Sequence, residues 1–514
     1  MRIAAIDLGT NSFHLAVAEV QPDGTFVPLV REKEMLRLGD AVSRHGYIPP
    51  DTADKAVETV RRFRMLGEAA DADEIVAKGT SALRTAVNGD LVVDRFEHEA
   101  GVEVEVIDGL EEARLIFSAI RASVLIEPAP ALCFDLGGGS LEIMVGDAGG
   151  LHWATSEPIG VARLTSELVT SDPLGKEDRR RLKDRLTGVL APVAKQVDRY
   201  QPRLVVGSSG TLEALAHMVA ARRSGKVPVS LNQLTFTRDE FLPLHKQIIG
   251  AKVSERRRMP GLDPGRVDLI AAGSMFLATA MDLFDFDQLT VSEWALREGI
   301  VLDAIRHHDA ADWSEDPRAL RRASVQSLAR RCNWPESHSR HVAKLATDLF
   351  DATGPLHELD ARDRELLEYA GLLHDIGEHV DHQAHDKHAA YLLRYGRLRG
   401  FDPEEIATLT AVVRWHRRGD PKGSDEYLAP LDSDGRNRVR RLAALLRIAD
   451  GLDRGRRDTV RGVTVGTNPS LVTVRVHSED DPELELWGAR RKRELFEKTF
   501  DRDLEFIAVR MGGG

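Results

Sequence analysis

The sequence predicts an α/β protein of two related lobes, followed by an all-α domain and a small α+β cap. Three observations carry that expectation. IAAIDLGTNSF from Ile3 and ALCFDLGGGSL from Ala131 form an internal repeat, each an apolar strand running into Asp-Leu-Gly and a small polar turn. Between and after the copies, strand and helix patterns alternate, as layered α/β folds require. After Arg306 the texture changes, and from Arg318 only helical periodicity is visible until about Asp453. These shifts divide the chain into lobe I over 1–125, lobe II over 126–306, a helical domain over 318–455 and a cap over 456–514.

The elements follow in order. Strands are expected at Ile3, at Glu74 to Ala77, at Val102 to Ile107 and at Ala131, and a helix from about Leu110 to Arg121. RLVVGSSGTLEALA from Arg203 reads as a third buried strand feeding a Gly and Ser turn and a helix. His307 to Pro317 reads as a polar linker. Beyond the helical domain, Thr459 to Val476 alternates β-branched residues, Arg490 to Phe500 has a helical pattern and Leu504 to Val509 a strand pattern.

Composition narrows the function. The 514 residues carry 70 Lys and Arg against 82 Asp and Glu, a net charge of −12 that argues against non-specific nucleic-acid binding. Two distant cysteines, Cys133 and Cys332, form no disulfide framework, and a cytoplasmic location is expected. The longest weakly polar stretch, Leu269 to Phe284, falls short of a membrane span.

A strand ending in Asp and a glycine-rich turn suits phosphate. Glycines let backbone N–H groups approach phosphate oxygens, while the strand-end carboxylate can hold a divalent cation. Asp7 is followed by Gly9, Thr10, Asn11 and Ser12, and Asp135 by Gly137, Gly138, Gly139, Ser140 and Glu142. With Asp108 as N-cap, Glu112 lies on the same helix face as Leu115, Ile116, Ala119 and Ile120, whereas Glu111 points away. Partial burial would raise the pKa of such a carboxylate toward that of a working general base. The alternative is a first-turn glutamate that satisfies the helix dipole. Arg84, just after a strand end, is the matching cation for phosphoryl charge, or else a surface arginine.

IDLGTNSFH, KGTSALRTAVN, IDGLEEARLI, FDLGGGSLEI and VVGSSGT resemble, in order and spacing, the Ppx/GppA family of exopolyphosphatases and guanosine pentaphosphate phosphohydrolases. The resemblance implies actin-like (ASKHA, ribonuclease H-like) lobes and hydrolysis of terminal phosphoanhydride bonds of polyphosphate, with guanosine pentaphosphate as the alternative substrate. It implies Glu112 as catalytic base, Arg84 as active-site arginine, and Asp7, Asp135 and Glu142 around Mg²⁺. Asn11, Ser12, Gly137, Gly138, Gly139, Ser140, Ser208, Ser209 and Gly210 would line the phosphate site. A homodimer is expected from the family. A sugar or acid kinase of the same fold group and a phosphate sensor without turnover are the competing readings.

In the helical domain, HSRHVAKLA, YAGLLHDIGEHV, HDKHAAYLL, VVRWHRRG and LLRIADGLDRG bring imidazoles and carboxylates onto several helices, a donor set suited to Mg²⁺ or a transition metal. His341 shares a helix face with Leu345 and Leu349. These motifs resemble the His, His-Asp, Asp pattern of HD-type phosphohydrolases, here as His341, His374, Asp375 and Asp450. His388 and His416 stand where two-metal versions add histidines. A second divalent metal, Mg²⁺, Mn²⁺ or another transition metal, is thus expected there. The competing reading is a scaffold, a dimer contact or a polyphosphate track.

Overall fold

The protein was analysed as a computed structural model that describes residues 1–21, 25–127, 129–225, 228–308, 317–421 and 425–511. It divides into two compact units, Met1–Leu320 and Arg321–Gly514. Most of the expected linker, residues 309–316, lies outside the described residues.

The first unit holds two sheets of matching topology. One comprises β1 (Arg2–Leu8), β2 (Ser12–Val20), β3 (Phe26–Met35), β4 (Glu74–Gly79) and β5 (Val104–Val106), in the order β3-β2-β1-β4-β5. The other comprises β6 (Ala131–Leu136), β7 (Leu141–Asp147), β8 (Gly150–Glu157), β9 (Leu204–Ser208), β10 (Thr235–Thr237) and β11 (Gln288–Val291), ordered β10-β11-β9-β6-β7-β8. In each sheet a meander of three antiparallel strands is extended by parallel strands on the far side of its first strand. The repeated Asp-Leu-Gly therefore falls at the same place in both halves, the end of the central strand. The short antiparallel β10 is an addition to lobe II.

Helices cover both faces of each sheet, because their apolar residues recur at helical spacing. Leu182, Leu186, Leu190 and Val193 of helix Lys176–Val197 are buried against lobe II. Helix Ile270–Leu283, apolar nearly all round, is buried in the same core. It is the longest weakly polar stretch of the sequence, and no helix among the described residues is long and apolar enough to cross a membrane.

Helices Gly109–Arg121 and Leu296–His308 pack against each other and share one core with Ile3 and Ala5 of β1 and Ala131 and Cys133 of β6. This central pair ties the two sheets together and fixes the first turn of Gly109–Arg121, where Glu112 sits.

In the second unit, helices from Pro317–Arg331 to Ser433–Gly451 are followed by β12 (Val460–Thr467), β13 (Leu471–Ser478), helices Glu483–Lys492 and Glu494–Phe500, and β14 (Asp503–Arg510). The three strands form one sheet, with β12 antiparallel and β14 parallel to β13. Val472, Val474, Leu486, Phe496 and Phe506 join Leu345, Leu373 and Leu446 in a single core. The segment expected as a separate cap thus completes the helical body, which relieves the poor surface-to-volume balance of so short a piece.

The helix pair allows a direct check. A Cβ at Gly299 would lie 2.2 Å from the carbonyl oxygen of Leu115, a backbone atom that cannot move aside. Gly299→Ala is expected to lower stability by about 1–3 kcal/mol, read as a drop in the melting temperature of the full chain.

Candidate active site

Strand register builds one wall of a cleft between the lobes. Ser208, Asp135, Glu142 and Ser156 are consecutive partners across β9, β6, β7 and β8, so their side chains share one face. Ser208 Oγ donates to Asp135 Oδ2 at 2.5 Å and Ser156 Oγ to Glu142 Oε1 at 2.8 Å. The Gly-rich turn of lobe II lies against the first turn of lobe I. A Cβ at Gly139 would meet Ser81 Oγ at 2.6 Å and Thr10 Oγ1 at 2.8 Å, and one at Gly138 would meet Asn11 Cβ at 3.1 Å. Only glycine permits that approach.

Glu112 enters from the first turn of a helix whose cap is Asp108, and the Asp108 carboxylate accepts from the N–H groups of Leu110 and Glu111. It is buried, and Arg84 approaches its Oε2 at 3.4 Å while donating to the Ile107 carbonyl at 2.5 Å. Burial, and then the charge of Glu142, raise the Glu112 carboxyl well above its ordinary range against the pull of Arg84. Burial likewise pushes Asp7 and Glu142 up to about 7 and Asp135 to about 6. Asp7 Oδ1 is buried and finds no hydrogen-bond partner among the described residues. Acceptor oxygens crowded in this way and short of donors fit a hard divalent cation.

The remaining expected phosphate ligands serve the turns in different ways. The Asn11 carbonyl accepts from Leu36 and Arg37 N–H. Ser12 Oγ contacts His14 Nε2 at 2.8 Å, and because Arg297 donates to His14 Nδ1 at 3.3 Å, His14 Nε2 bears the proton and donates to Ser12. Ser140 is buried beside Glu142. At the third turn, Ser209 stands at φ 81°, a left-handed conformation that is uncommon outside glycine, with its buried Oγ unpartnered among the described residues. Gly210 opens helix Gly210–Ser224 where a Cβ would strike the guanidinium of Arg266.

Sequence reasoning missed the cations behind this wall. Arg297 is paired to buried Glu298 at 2.6 Å, Arg31 reaches the same carboxylate at 3.4 Å, and Arg297 is the chief charge opposing the rise at Asp7. Arg266 lies beside Glu213 and Asp135. Both come from loop and helix ends far along the chain, and only the folded arrangement brings them to the turns.

The second unit assembles another cluster, with two corrections to the expected set. His338, one turn before His341, joins His374 and Asp450, and His385, one turn before His388, joins Asp375 and His416. His341 groups instead with Asp453 and Asp458, and His388 belongs to neither cluster. Both expected positions fall one helical turn late, where the same face continues but points beside the centre. Asp375 sits in the middle, with Oδ1 3.4 Å from His385 Nε2, 3.6 Å from His374 Nε2 and 3.8 Å from His416 Nε2, and Oδ2 3.6 Å from His338 Nε2. The far ring nitrogens are tied back: His374 Nδ1 to the Gly371 carbonyl at 2.8 Å, His416 Nδ1 to the Val413 carbonyl at 2.6 Å, and His338 Nδ1 to Asp453 at 2.7 Å. Each anchor leaves Nε2 facing inward, with His374 Nε2 unpartnered among the described residues and His416 Nε2 3.3 Å from His385 Nε2, an orientation that metal-binding histidines use.

Two lobes of matching topology, each with an Asp-Leu-Gly turn at the end of its central strand and with carboxylates gathered between them, place the first unit in the actin-like fold group. More narrowly, the chain belongs to the Ppx/GppA phosphatase family, which matches residues 16–308, while domain III of that family matches residues 320–484. It is 32% identical over 327 residues to Exopolyphosphatase 1 of Mycobacterium leprae, covering 63% of this chain and 94% of that protein. An exopolyphosphatase from Cytophaga hutchinsonii superposes with a TM-score of 0.57 at 31% identity, covering 60% of this chain and 98% of its own. The Aquifex aeolicus family member gives a TM-score of 0.53 at 26% identity, covering 60% and 99%.

The raised carboxylates set a pH dependence. A group whose folded pKa lies above its unfolded value binds more protons when folded, so it favours folding below the unfolded pKa and loses that contribution as pH rises through the folded value. For Asp7 the loss runs between about pH 4 and 7. In chelator at pH 8, Asp7→Asn is expected to melt at a higher temperature than the parent, and added Mg²⁺ should stabilise only the parent.

Proposed function

We propose that the chain is an exopolyphosphatase, releasing orthophosphate from the end of inorganic polyphosphate, with guanosine pentaphosphate as the alternative substrate. The observation that carries this reading is the placement of Glu112, buried beside Arg84 and across from Asp7, Asp135 and Glu142. The names of the Mycobacterium leprae and Cytophaga hutchinsonii relatives support polyphosphate.

Asp7, Asp135 and Glu142 would hold Mg²⁺, which when bound neutralises phosphoryl oxygens. The N–H groups of Gly137 to Gly139 and the turn at Asn11 and Ser12 bind the terminal phosphates. Arg84 orients the phosphoryl group under attack and offsets its charge. Glu112, with its raised proton affinity, takes the proton from the attacking water as the oxygen bonds to phosphorus and the anhydride oxygen leaves. Burial of Glu112, Asp135 and Glu142 limits access of bulk water to the reacting phosphorus.

The helical cluster is proposed as an HD-type divalent metal centre of two ions, with His338, His374, Asp375 and Asp450 on one side and Asp375, His385 and His416 on the other.

Two measurements test these readings. Glu112→Gln is expected to lower kcat for phosphate release by about 10²–10⁴ with KM little changed, assayed side by side on polyphosphate and guanosine pentaphosphate. Absence of turnover on both in the parent would leave a sensor as the function. For the helical centre, His338→Ala should weaken Mn²⁺ binding by calorimetry about 10–100-fold, whereas His341→Ala should leave the stoichiometry intact.

A further inference from the structure

Gly109 opens the helix that carries Glu112 and rests directly on a side chain of lobe II. A Cβ there would lie 2.4 Å from Ser156 Cβ, 2.5 Å from Ser156 Oγ and 3.9 Å from Arg84 Nη2. The Ser156 hydroxyl is itself committed, because it donates to Glu142 Oε1 at 2.8 Å. One serine of β8 therefore touches the start of the helix and holds a carboxylate on the neighbouring strand.

The same helix meets lobe II at a second close point. A Cβ at Gly146 of β7 would lie 2.4 Å from Phe117 Cζ. From Gly109 to Phe117 the helix advances about 12 Å. From Glu142, the register partner of Ser156, to Gly146 the strand advances about 13 Å. The spans match, so the helix follows the β7–β8 hairpin and is held at both ends of the contact.

Glu112 stands one turn after Gly109 on the same side of the helix, and helical side chains lean toward the N-terminus. Glu112 thus extends over the turn that Ser156 supports, while Arg84 reaches that turn through the Ile107 carbonyl and Glu112 itself. A shift of Gly109 away from Ser156 would carry Glu112 away from Glu142.

We propose that Ser156 is a positioning residue for phosphate release, setting the separation between Glu112 and Glu142 by supporting Gly109 with its Cβ and fixing Glu142 with its hydroxyl. This rests on the reading of Glu112 as the base that takes the proton from water. Gly109 has to be glycine because the approach leaves no room for a methyl group.

The experiment measures phosphate release by the full chain, on whichever of polyphosphate and guanosine pentaphosphate the parent turns over, with Mg²⁺ present. Gly109→Ala is expected to lower kcat by about 100-fold with KM little changed, because the added methyl lifts the helix start off β8. Ser156→Ala keeps the Cβ and loses the donor, for a fall in kcat of about tenfold. In Gly109→Ala/Ser156→Gly the alanine methyl takes the room that the serine gave up. Its kcat should recover to the level of Ser156→Ala and exceed that of Ser156→Gly alone, with circular dichroism unaltered throughout. A pair no more active than Gly109→Ala, or Ser156→Ala with the kcat of the parent, overturns the proposal. So do single variants that melt earlier yet turn over like the parent when folded, the result of a merely structural contact. Absence of turnover in the parent, or turnover that survives Glu112→Gln, instead removes the reading of Glu112 and this proposal with it.

Discussion

Confining four carboxylates in one desolvated cleft is the constraint around which the first unit is organised. Each ionised acid removed from water is costly unless it is paired, protonated or coordinated. The fold supplies partial answers: Arg84 beside Glu112, Arg297 facing Asp7, Arg266 near Asp135, and serine donors on Asp135 and Glu142. None of these satisfies Asp7 Oδ1, so the cleft keeps an unmet demand for positive charge. Arg297 is paired to Glu298, which Arg31 also reaches, and a hydrogen-bonded chain through His14 joins Arg297 to Ser12 in the first turn.

The second unit meets the same difficulty with the opposite solution. Its acids are brought together with cations from the chain itself, and Asp375 and Asp450 are lowered where Asp7, Asp135 and Glu142 are raised. Burial acts in the same direction in both places. The difference lies in the neighbours: Lys492 contacts Asp450 directly, whereas Glu112 and Glu142 have one shared arginine and each other. One site holds protons near neutral pH, and the other holds internal counter-ions.

The first site was largely legible because its signals are local. Strand, Asp and glycine turn stand within a dozen residues, and the helix carrying Glu112 shows its buried face in its periodicity. The repeat pointed to two related lobes, and the two sheets share a meander extended by parallel strands. What the sequence hid arises from tertiary distance, as with Arg297 and Arg266, which reach their partners from more than 130 residues away along the chain. In the helical unit the errors are of another kind. His338 and His341, like His385 and His388, are three residues apart on one face, so periodicity ranks them equally. Helix placement against Asp375 separates them, and that depends on packing which no local pattern encodes. The cap was misjudged for a related reason: the alternation in β13 identifies a buried face without saying whose core it joins.

Net charge proves a poor guide to either site. Many surface acids are matched by a cation one helical turn away, as in Arg64 with Glu68, Arg340 with Glu336 and Lys344 with Asp348, so they add nothing to the net charge. These contribute little stability and are screened by salt. Buried charges are screened far less, so a handful of them sets the field inside each cluster. A net charge of −12 therefore says little about the local field at the buried clusters.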